Sequence, residues 1–209
     1  MKFSVIMPSY LGSYPSAAKN RDEKIVRAIN SVKEQTYKDW ELLIVSDGCT
    51  RTIKIVKPLL NEKIKLFSIN KQRLWSGLVR NTGIINATGD WIVYLDIDDM
   101  FGPDHLKIIA DQVFDCDWYW FNDRSWDEGQ QQFNEHYCEL ARAKCGTSNL
   151  CHKPGLTGWN KKDNYYQDWK FIMNLKVASA NYAKLETPQY LICHVPGLLD
   201  YDGENKKMS

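Results

Sequence analysis

Three carboxylates follow a short apolar segment near the middle of the chain. Asp96, Asp98 and Asp99 come directly after residues 90–95, which are rich in β-branched and aromatic side chains and predict a buried strand. In a parallel α/β sheet, ligands bind beyond the carboxyl ends of the strands. Crowded carboxylates repel one another unless they are neutralised, and a hard divalent ion binds carboxylates together with substrate phosphates. The spacing therefore predicts metal-bridged phosphate binding, with an acidic turn that caps a helix near Pro103 as the alternative.

The composition fits an ordinary globular protein. The chain has 209 residues, of which 44% are hydrophobic and 25% charged, and this balance excludes the disordered and collagen-like classes. The net charge of +1 provides no overall attraction to nucleic acid or to an acidic membrane. No apolar run reaches the length of a membrane span, and residues 1–8 are too short in their apolar part for a signal peptide. We therefore expect a cytoplasmic protein with no integral membrane segment, either free or peripheral to a membrane.

The six cysteines are scattered along the chain without a paired spacing. A domain of this size does not need disulfides, so reduced thiols are expected. One group of neighbouring residues carries zinc-binding atoms, but its intervals match no common ligand pattern, and a zinc site is disfavoured. This group is Cys138, Cys145, Cys151 and His152.

The first half of the chain alternates between strand-like and helical segments, and these must position the three carboxylates. The predicted strands cover residues 2–7, 40–45, 64–69 and 90–95, and the predicted helices begin at 20 or 22, at 50 or 52, and at 74. In the first helix, Ile25, Ala28, Ile29 and Val32 form one apolar stripe. The alternating order predicts an α/β fold with a mostly parallel, Rossmann-like central sheet flanked by helices.

The second half of the chain is less regular. A helix is predicted from residue 103 and a strand at 117–121, after which polar residues and loops are expected as far as about residue 163. A helix at 165–176 and short strands at 181–185 and 190–194 complete the prediction.

Four segments in this order and spacing resemble glycosyltransferase family 2, whose nucleotide-diphospho-sugar fold is called GT-A. They are residues 5–10, 46–50, 77–84 and 89–99. The resemblance implies one domain over residues 1–209. Its parts would be a nucleotide-sugar-binding half at 1–111, a smaller acceptor-binding half with the catalytic base at 112–200, and a tail at 201–209.

The resemblance also implies a set of donor-binding residues. Tyr10 offers a stacking face, and the Asp47 carboxylate can accept a hydrogen bond from a pyrimidine N–H, which favours a UDP-sugar. Many family members have two acids at this turn, whereas here Ser46 precedes Asp47. The implied donor-binding residues are Pro8, Ser9, Tyr10, Asp47, Arg80, Asn81, Asp96 and Ile97.

A metal ion and a catalytic base follow from the same resemblance. Asp98 would bind Mn²⁺ or Mg²⁺, and His194 would complete the metal shell; the alternative for His194 is a structural hydrogen-bond donor. Asp168 matches the position of the base that deprotonates the acceptor hydroxyl, although Gln167 replaces the preceding acid of the family's pair. The alternative for Asp168 is a favourable charge at a helix N-terminus.

The implied reaction is inverting, metal-dependent transfer of one sugar from a nucleoside-diphosphate sugar to an acceptor hydroxyl. The acceptor remains open between a glycan, a lipid-linked saccharide, a protein and a hydroxylated base in DNA, as does the oligomeric state. The absence of a Gln-x-x-Arg-Trp sequence disfavours a processive synthase. A nucleotidyltransferase would need a Gly-rich basic loop after the first strand, and a non-catalytic binding module would be expected to lose its carboxylates.

Aromatic residues are frequent in the acceptor half, and sugar rings stack on indoles. Most tryptophans pack in cores, so we expect one or two of five at the acceptor site. The five are Trp118, Trp120, Trp126, Trp159 and Trp169.

Overall fold

Three sheets and five α-helices form the part of the chain described by the computed structural model, which comprises residues 1–72, 76–160, 166–186 and 188–201. The strands are β1 (Phe3–Ser9), β2 (Trp40–Asp47), β3 (Ile64–Ile69), β4 (Trp91–Tyr94), β5 (Met100–Phe101), β6 (Trp118–Phe121), β7 (Asp123–Asp127), β8 (Gln132–His136), β9 (Leu150–His152), β10 (Tyr182–Leu185), β11 (Tyr190–Ile192), β12 (His194–Val195) and β13 (Leu199–Asp200). The α-helices are α1 (Arg21–Lys33), α2 (Thr50–Val56), α3 (Gly77–Asn86), α4 (His105–Gln112) and α5 (Gln167–Ala178).

The main sheet has the strand order β10-β6-β9-β4-β1-β2-β3. Strands β3, β2, β1 and β4 are mutually parallel, and β6 is parallel to β10. Strand β9 runs antiparallel between β4 and β6. The prediction of a mostly parallel central sheet is therefore confirmed, and the carboxyl ends of β1, β2 and β4 lie at one edge of it.

The main sheet is covered on both faces. One apolar cluster packs α1, α2 and α4 against one face through residues such as Ile29, Val56 and Leu106. A second cluster packs α5 and the end of α3 against the other face through Phe171 and Ile84. All eight residues of β2 are buried, which explains why residues 42–45 are all apolar and do not alternate with polar residues.

A second sheet, in the order β5-β11-β7-β8, lies beside the main sheet. Strands β7 and β8 form an antiparallel hairpin, and β12 with β13 forms a separate two-stranded sheet. Loops were expected between residues 122 and 163, and most described residues there are irregular, but the prediction missed β7, β8 and β9, which fall inside that range. The hairpin strands are polar and partly exposed, and β9 has only three residues, so neither produces a recognisable apolar pattern.

Most other predicted segments are confirmed, with small shifts at their ends. The apolar stripe of α1 is fully buried, and the strand predicted at 64–69 matches β3. The strand predicted at 190–194 is divided into β11 and β12, because the Cys193 amide between them donates to the Asp99 carboxylate. The predicted starts of α3 at Leu74 and of α5 at Tyr165 lie outside the described residues.

No helix in the described ranges combines the length and the apolar character needed to cross a membrane.

His105, in the first turn of α4, lies wholly inside the core. Its ring stacks on Phe101 with 4.0 Å between the ring centroids, and both ring nitrogens lack a hydrogen-bond partner among the described residues. Burial lowers the pKa of His105 from 6.5 to about 3, so the folded protein holds this ring neutral.

We expect this histidine to make the fold sensitive to acid. Below pH 6.5 His105 binds a proton in the unfolded chain, whereas in the folded chain it stays neutral down to about pH 3. The free energy of unfolding therefore falls as the pH falls from 6.5 to about 3. Between pH 7 and pH 5 the loss is about 2 kcal/mol for this one group. In urea unfolding at these two pH values, His105→Leu should lose less free energy of unfolding than the unmodified protein. An equal loss in both proteins would contradict this account.

Candidate active site

The turn after β2 and the loop after β1 meet at the edge of the main sheet. The Asp47 carboxylate accepts a hydrogen bond from the Gln72 backbone amide at 2.6 Å and another from Lys71 Nζ at 2.7 Å. Lys71 Nζ also lies 4.2 Å from the centroid of the Tyr10 ring. The structure thus brings Tyr10 and Asp47 together through Lys71, a residue that sequence reasoning missed. Its position just beyond the end of β3, a parallel strand, is the signal that could have identified it.

Gly48 allows this close arrangement. Its φ of +60° lies in the left-handed region, and a Cβ atom built on it would lie 2.5 Å from the Lys71 backbone nitrogen. Any other residue would push Lys71 away from Asp47.

The two other predicted residues at the end of β1 differ in exposure. Ser9 is buried, and its hydroxyl lies 2.9 Å from the Thr52 hydroxyl on α2. Pro8 is partly exposed. Ser9 therefore supports the loop by linking β1 to α2.

The three carboxylates after β4 have different surroundings. Asp99 is buried and accepts hydrogen bonds from the Tyr190 hydroxyl at 2.9 Å and the Cys193 amide at 2.7 Å. Asp96 is 40% exposed at its side chain and pairs with Arg80 at 3.2 Å. None of these bonds caps α4, whose preceding residue is Asp104. The alternative of a helix-capping acidic turn is not supported by these contacts.

Negative charge accumulates around Asp98. Burial and then the neighbouring Asp96 raise the pKa of Asp98, against the opposing effect of His194. Burial, followed by the charges of Asp98 and Asp96, raises the pKa of Asp99 well above its usual value. A divalent cation would reverse this repulsion, and the all-oxygen donor set of Asp96 and Asp98 suits Mn²⁺ or Mg²⁺. The residues present therefore fit the implied ion.

His194, the first residue of β12, lies near enough to Asp98 to affect its pKa, but both of its ring nitrogens already have polar partners. Nδ1 lies 3.2 Å from the Asp200 carboxylate, and Nε2 lies 3.1 Å from the Ser16 carbonyl oxygen. Lys24 also pairs with Asp200. In this conformation His194 bridges β12 to the loop after β1, so it would have to turn before it could bind a metal.

Arg80 and Asn81 on α3 have separate roles in this geometry. Arg80 is 5% exposed, pairs with Asp96, and lies 4.8 Å from the centroid of the Trp159 ring. Asn81 uses its side-chain amide in two hydrogen bonds of 2.7 Å to the backbone of Trp159. Arg80 therefore faces the acidic cluster, whereas Asn81 holds the segment around Trp159. Ile97 is buried in the apolar core.

Asp168 lies in the first turn of α5 and lines a cavity of about 470 Å³. Thr147 donates a hydrogen bond of 2.6 Å from its hydroxyl to Oδ1 of Asp168. Of the five tryptophans considered, Trp169 lines this cavity, while Trp118 and Trp159 are buried in the core.

Strand β11 connects the cavity to the acidic cluster. Ile192 lines the same cavity as Asp168, and the next residue, Cys193, donates its amide hydrogen bond to Asp99. Tyr190 on this strand also donates to Asp99, and its hydroxyl accepts a 3.2 Å hydrogen bond from the Asp96 amide. The two groups of residues therefore border one short strand.

Comparisons with known proteins agree with this architecture. Residues 4–172 match the sequence profile described as Glycosyl transferase family 2. The amylovoran biosynthesis glycosyltransferase AmsB of Erwinia amylovora is 31% identical over 111 residues, which are 51% of this chain and 34% of AmsB. The Escherichia coli UDP-Glc:alpha-D-GlcNAc-diphosphoundecaprenol beta-1,3-glucosyltransferase WfgD is 33% identical over 106 residues, which are 50% of this chain and 38% of WfgD. The chain thus spans little more than a third of the length of these relatives.

Solved structures share the fold at low sequence identity. Residues 1–349 of Staphylococcus aureus TarS in complex with UDP superpose with a TM-score of 0.71 at 20% identity, covering 92% of this chain and 61% of that chain. The Pyrobaculum calidifontis mannosyltransferase PcManGT in complex with GDP-Man and Mn²⁺ gives a TM-score of 0.67 at 15% identity, covering 94% and 58%. The fold is therefore that of GT-A glycosyltransferases, and the family match over most of its length shows that the chain belongs to glycosyltransferase family 2.

Proposed function

We propose that this domain transfers a single sugar from a UDP-sugar to an acceptor hydroxyl with inversion, and that the reaction depends on Mn²⁺ or Mg²⁺. The observation that carries the proposal is the crowding of Asp98 with Asp96 at the end of β4, in a chain of family 2. Burial and mutual repulsion there leave a negative site that a cation bound to a diphosphate would neutralise.

The pocket formed by Tyr10, Asp47 and Lys71 would hold the nucleoside. Tyr10 offers a ring for stacking, and Asp47 offers a carboxylate oxygen to the N–H of a uracil base. The structures of TarS with UDP and with UDP-GlcNAc, and the UDP-Glc in the name of WfgD, support a UDP-sugar as donor.

Asp98 would hold the ion, with Asp96 beside it. When bound, the ion neutralises negative charge on the departing nucleoside diphosphate. Arg80, held between Asp96 and Trp159, places a second positive charge near the same group. The Mn²⁺ in the PcManGT complex supports this choice of ion. His194 would join the shell only after leaving Asp200 and Ser16.

Asp168 would take the proton from the acceptor hydroxyl as that oxygen attacks the anomeric carbon. The hydrogen bond from Thr147 to Oδ1 orients the carboxylate, and this leaves Oδ2 for the acceptor. The cavity beside Asp168 would bind the acceptor, and Trp169 in its wall offers an indole for a sugar ring. A glycan or lipid-linked saccharide is the acceptor class that the names of AmsB and WfgD support. The cytoplasmic location and the single-sugar mode stay predictions.

The metal role of Asp98 is tested by Asp98→Asn. We expect kcat/KM to fall roughly 100-fold or more, because the bound ion contributes several kcal/mol of charge stabilisation. The assay measures UDP release from a panel of UDP-sugars at increasing Mn²⁺ concentrations and in the presence of EDTA. The matched control is Asp111→Asn, an exposed carboxylate paired with Lys107 on α4, which should leave the titration unchanged. An unaltered Mn²⁺ dependence in Asp98→Asn would remove Asp98 as the ligand.

The role of Asp168 as base is tested by Asp168→Asn. Affinity for UDP should be retained, while transfer should fall by roughly 10²- to 10⁴-fold, as expected for loss of a general base. Calorimetric UDP binding and UDP release with a panel of saccharide acceptors separate the two effects. Glu139→Gln removes an exposed carboxylate paired with Lys144 and serves as control. Normal transfer by Asp168→Asn would refute the assignment.

The nucleoside pocket is tested by Asp47→Asn. Loss of a charged hydrogen-bond acceptor costs about 1.5 kcal/mol, so UDP should bind about tenfold more weakly. Asp22→Asn, which removes a partly exposed carboxylate paired with Arg51, should bind UDP normally. Equal affinities for UDP in both variants would show that Asp47 does not contact the base.

A further inference from the structure

A second cluster of metal-binding side chains lies in the acceptor half, away from the carboxylates after β4. Asp123, His136 and Cys138 each contribute one possible ligand atom, and these three atoms all lie within 4.8 Å of one another. Among the described residues, this is the one group of three or more such side chains that converges in this way. No step of the proposed sugar transfer uses these three side chains.

The β7–β8 hairpin creates this cluster. Asp123 and His136 are direct cross-strand partners, and Cys138 follows His136 by two residues. The Cys138 backbone amide donates to the Asn122 side-chain oxygen at 3.0 Å, which fixes the cysteine next to the strand ends. Asp123 and Cys138 are 2% and 1% exposed, whereas His136 lies at the surface. Two ligands are therefore held rigidly in the interior, and the third closes the cluster from outside.

The distances between the ligand atoms are close to those of a tetrahedral zinc site. The Cys138 Sγ atom lies 3.6 Å from Asp123 Oδ2 and 3.9 Å from His136 Nδ1, and His136 Nδ1 lies 2.9 Å from Asp123 Oδ1. Tetrahedral zinc with ordinary bond lengths requires about 3.4 to 3.6 Å between such atoms. Each distance is within about half an ångström of that requirement, with Oδ2 of Asp123 next to the sulfur and Oδ1 next to the imidazole nitrogen.

The surroundings of Asp123 resemble the outer shell of a metal site. Asn149 donates a hydrogen bond of 2.8 Å from its side-chain amide to Asp123 Oδ2, which orients the carboxylate. The charged partner described for this buried acid is His136, a residue that is neutral whenever it binds metal. The alternative is a hydrogen-bonded group without metal, in which His136 and the Cys138 thiol both contact the Asp123 carboxylate.

We propose that Asp123, His136 and Cys138 form a zinc site. Thiolate, imidazole and carboxylate are the ligands that zinc accepts, whereas the all-oxygen set near Asp98 suits a harder ion. All three residues line the cavity of about 470 Å³ next to Asp168, so the fourth coordination position faces that cavity. Three protein ligands with one open position are typical of zinc sites that bind a further ligand.

This site differs from the zinc group disfavoured from the sequence. Cys151 and His152 lie in β9 inside the main sheet, and His152 contacts the Tyr94 hydroxyl and the Lys153 carbonyl oxygen with its two ring nitrogens. Cys138 is the one residue that belongs both to that group and to the observed cluster, while Cys145 only lines the adjacent cavity.

The experiment uses the full chain after removal of metal with EDTA. Co²⁺ added to the unmodified protein should produce thiolate-to-cobalt charge-transfer absorption, which an all-oxygen site cannot produce. Zn²⁺ should abolish this absorption with a stoichiometry of one ion per chain, and Zn²⁺ should raise the melting temperature of the metal-free protein.

The variants identify the ligands. Cys138→Ser should lose the charge-transfer absorption, and His136→Ala should weaken Zn²⁺ binding at least tenfold and reduce the rise in melting temperature at the same Zn²⁺ concentration. His136 is exposed, so its replacement disturbs the core less than a change at the buried Cys138 and keeps the test valid if Cys138→Ser is unstable. Cys116→Ser, at a partly exposed cysteine outside the cluster, is the control and should behave as the unmodified protein. Absence of the thiolate absorption in the unmodified protein, or unchanged Zn²⁺ affinity in His136→Ala, would overturn the proposal.

Discussion

Repulsion among the carboxylates at the end of β4 is the constraint on which the rest of the site depends. Asp99 is buried beside Asp96 and Asp98, and burial together with their charges raises its pKa. Hydrogen bonds from Tyr190 and Cys193 stabilise Asp99 and fasten β11 to the acidic turn. The same strand borders the cavity that contains Asp168. The hydrogen bonds that stabilise Asp99 therefore also join the turn after β4 to the strand that borders this cavity.

The two candidate metal sites differ in the chemistry of their ligands. The turn after β4 offers carboxylate oxygens and matches the preference of Mg²⁺ and Mn²⁺. The hairpin site offers sulfur, nitrogen and oxygen, and this mixture matches zinc. Because both sites border β11, this domain would place two ions of different character near one strand.

The predictable part of the fold is the part with strong local patterns. β1, β2, β3 and the amphipathic helix α1 appear where apolar runs and stripes place them, since these segments are buried and their residues reflect that burial. The β7–β8 hairpin was missed because its polar strands are held by cross-strand pairing. Lys71 was also missed, because its partner Asp47 is distant in sequence and meets it only when β2 and β3 lie side by side.

The sequence by itself determined the fold class, the acidic turn after β4 and the resemblance to family 2, because residue types and their spacing encode burial and strand ends locally. The tertiary structure alone decided which side chains are available. It directs Asn81 to the backbone of Trp159, engages both nitrogens of His194, and assembles Asp123, His136 and Cys138 from a hairpin. The reason is that hydrogen-bond partners and ligand distances depend on which strands and loops become neighbours, and local sequence does not record this.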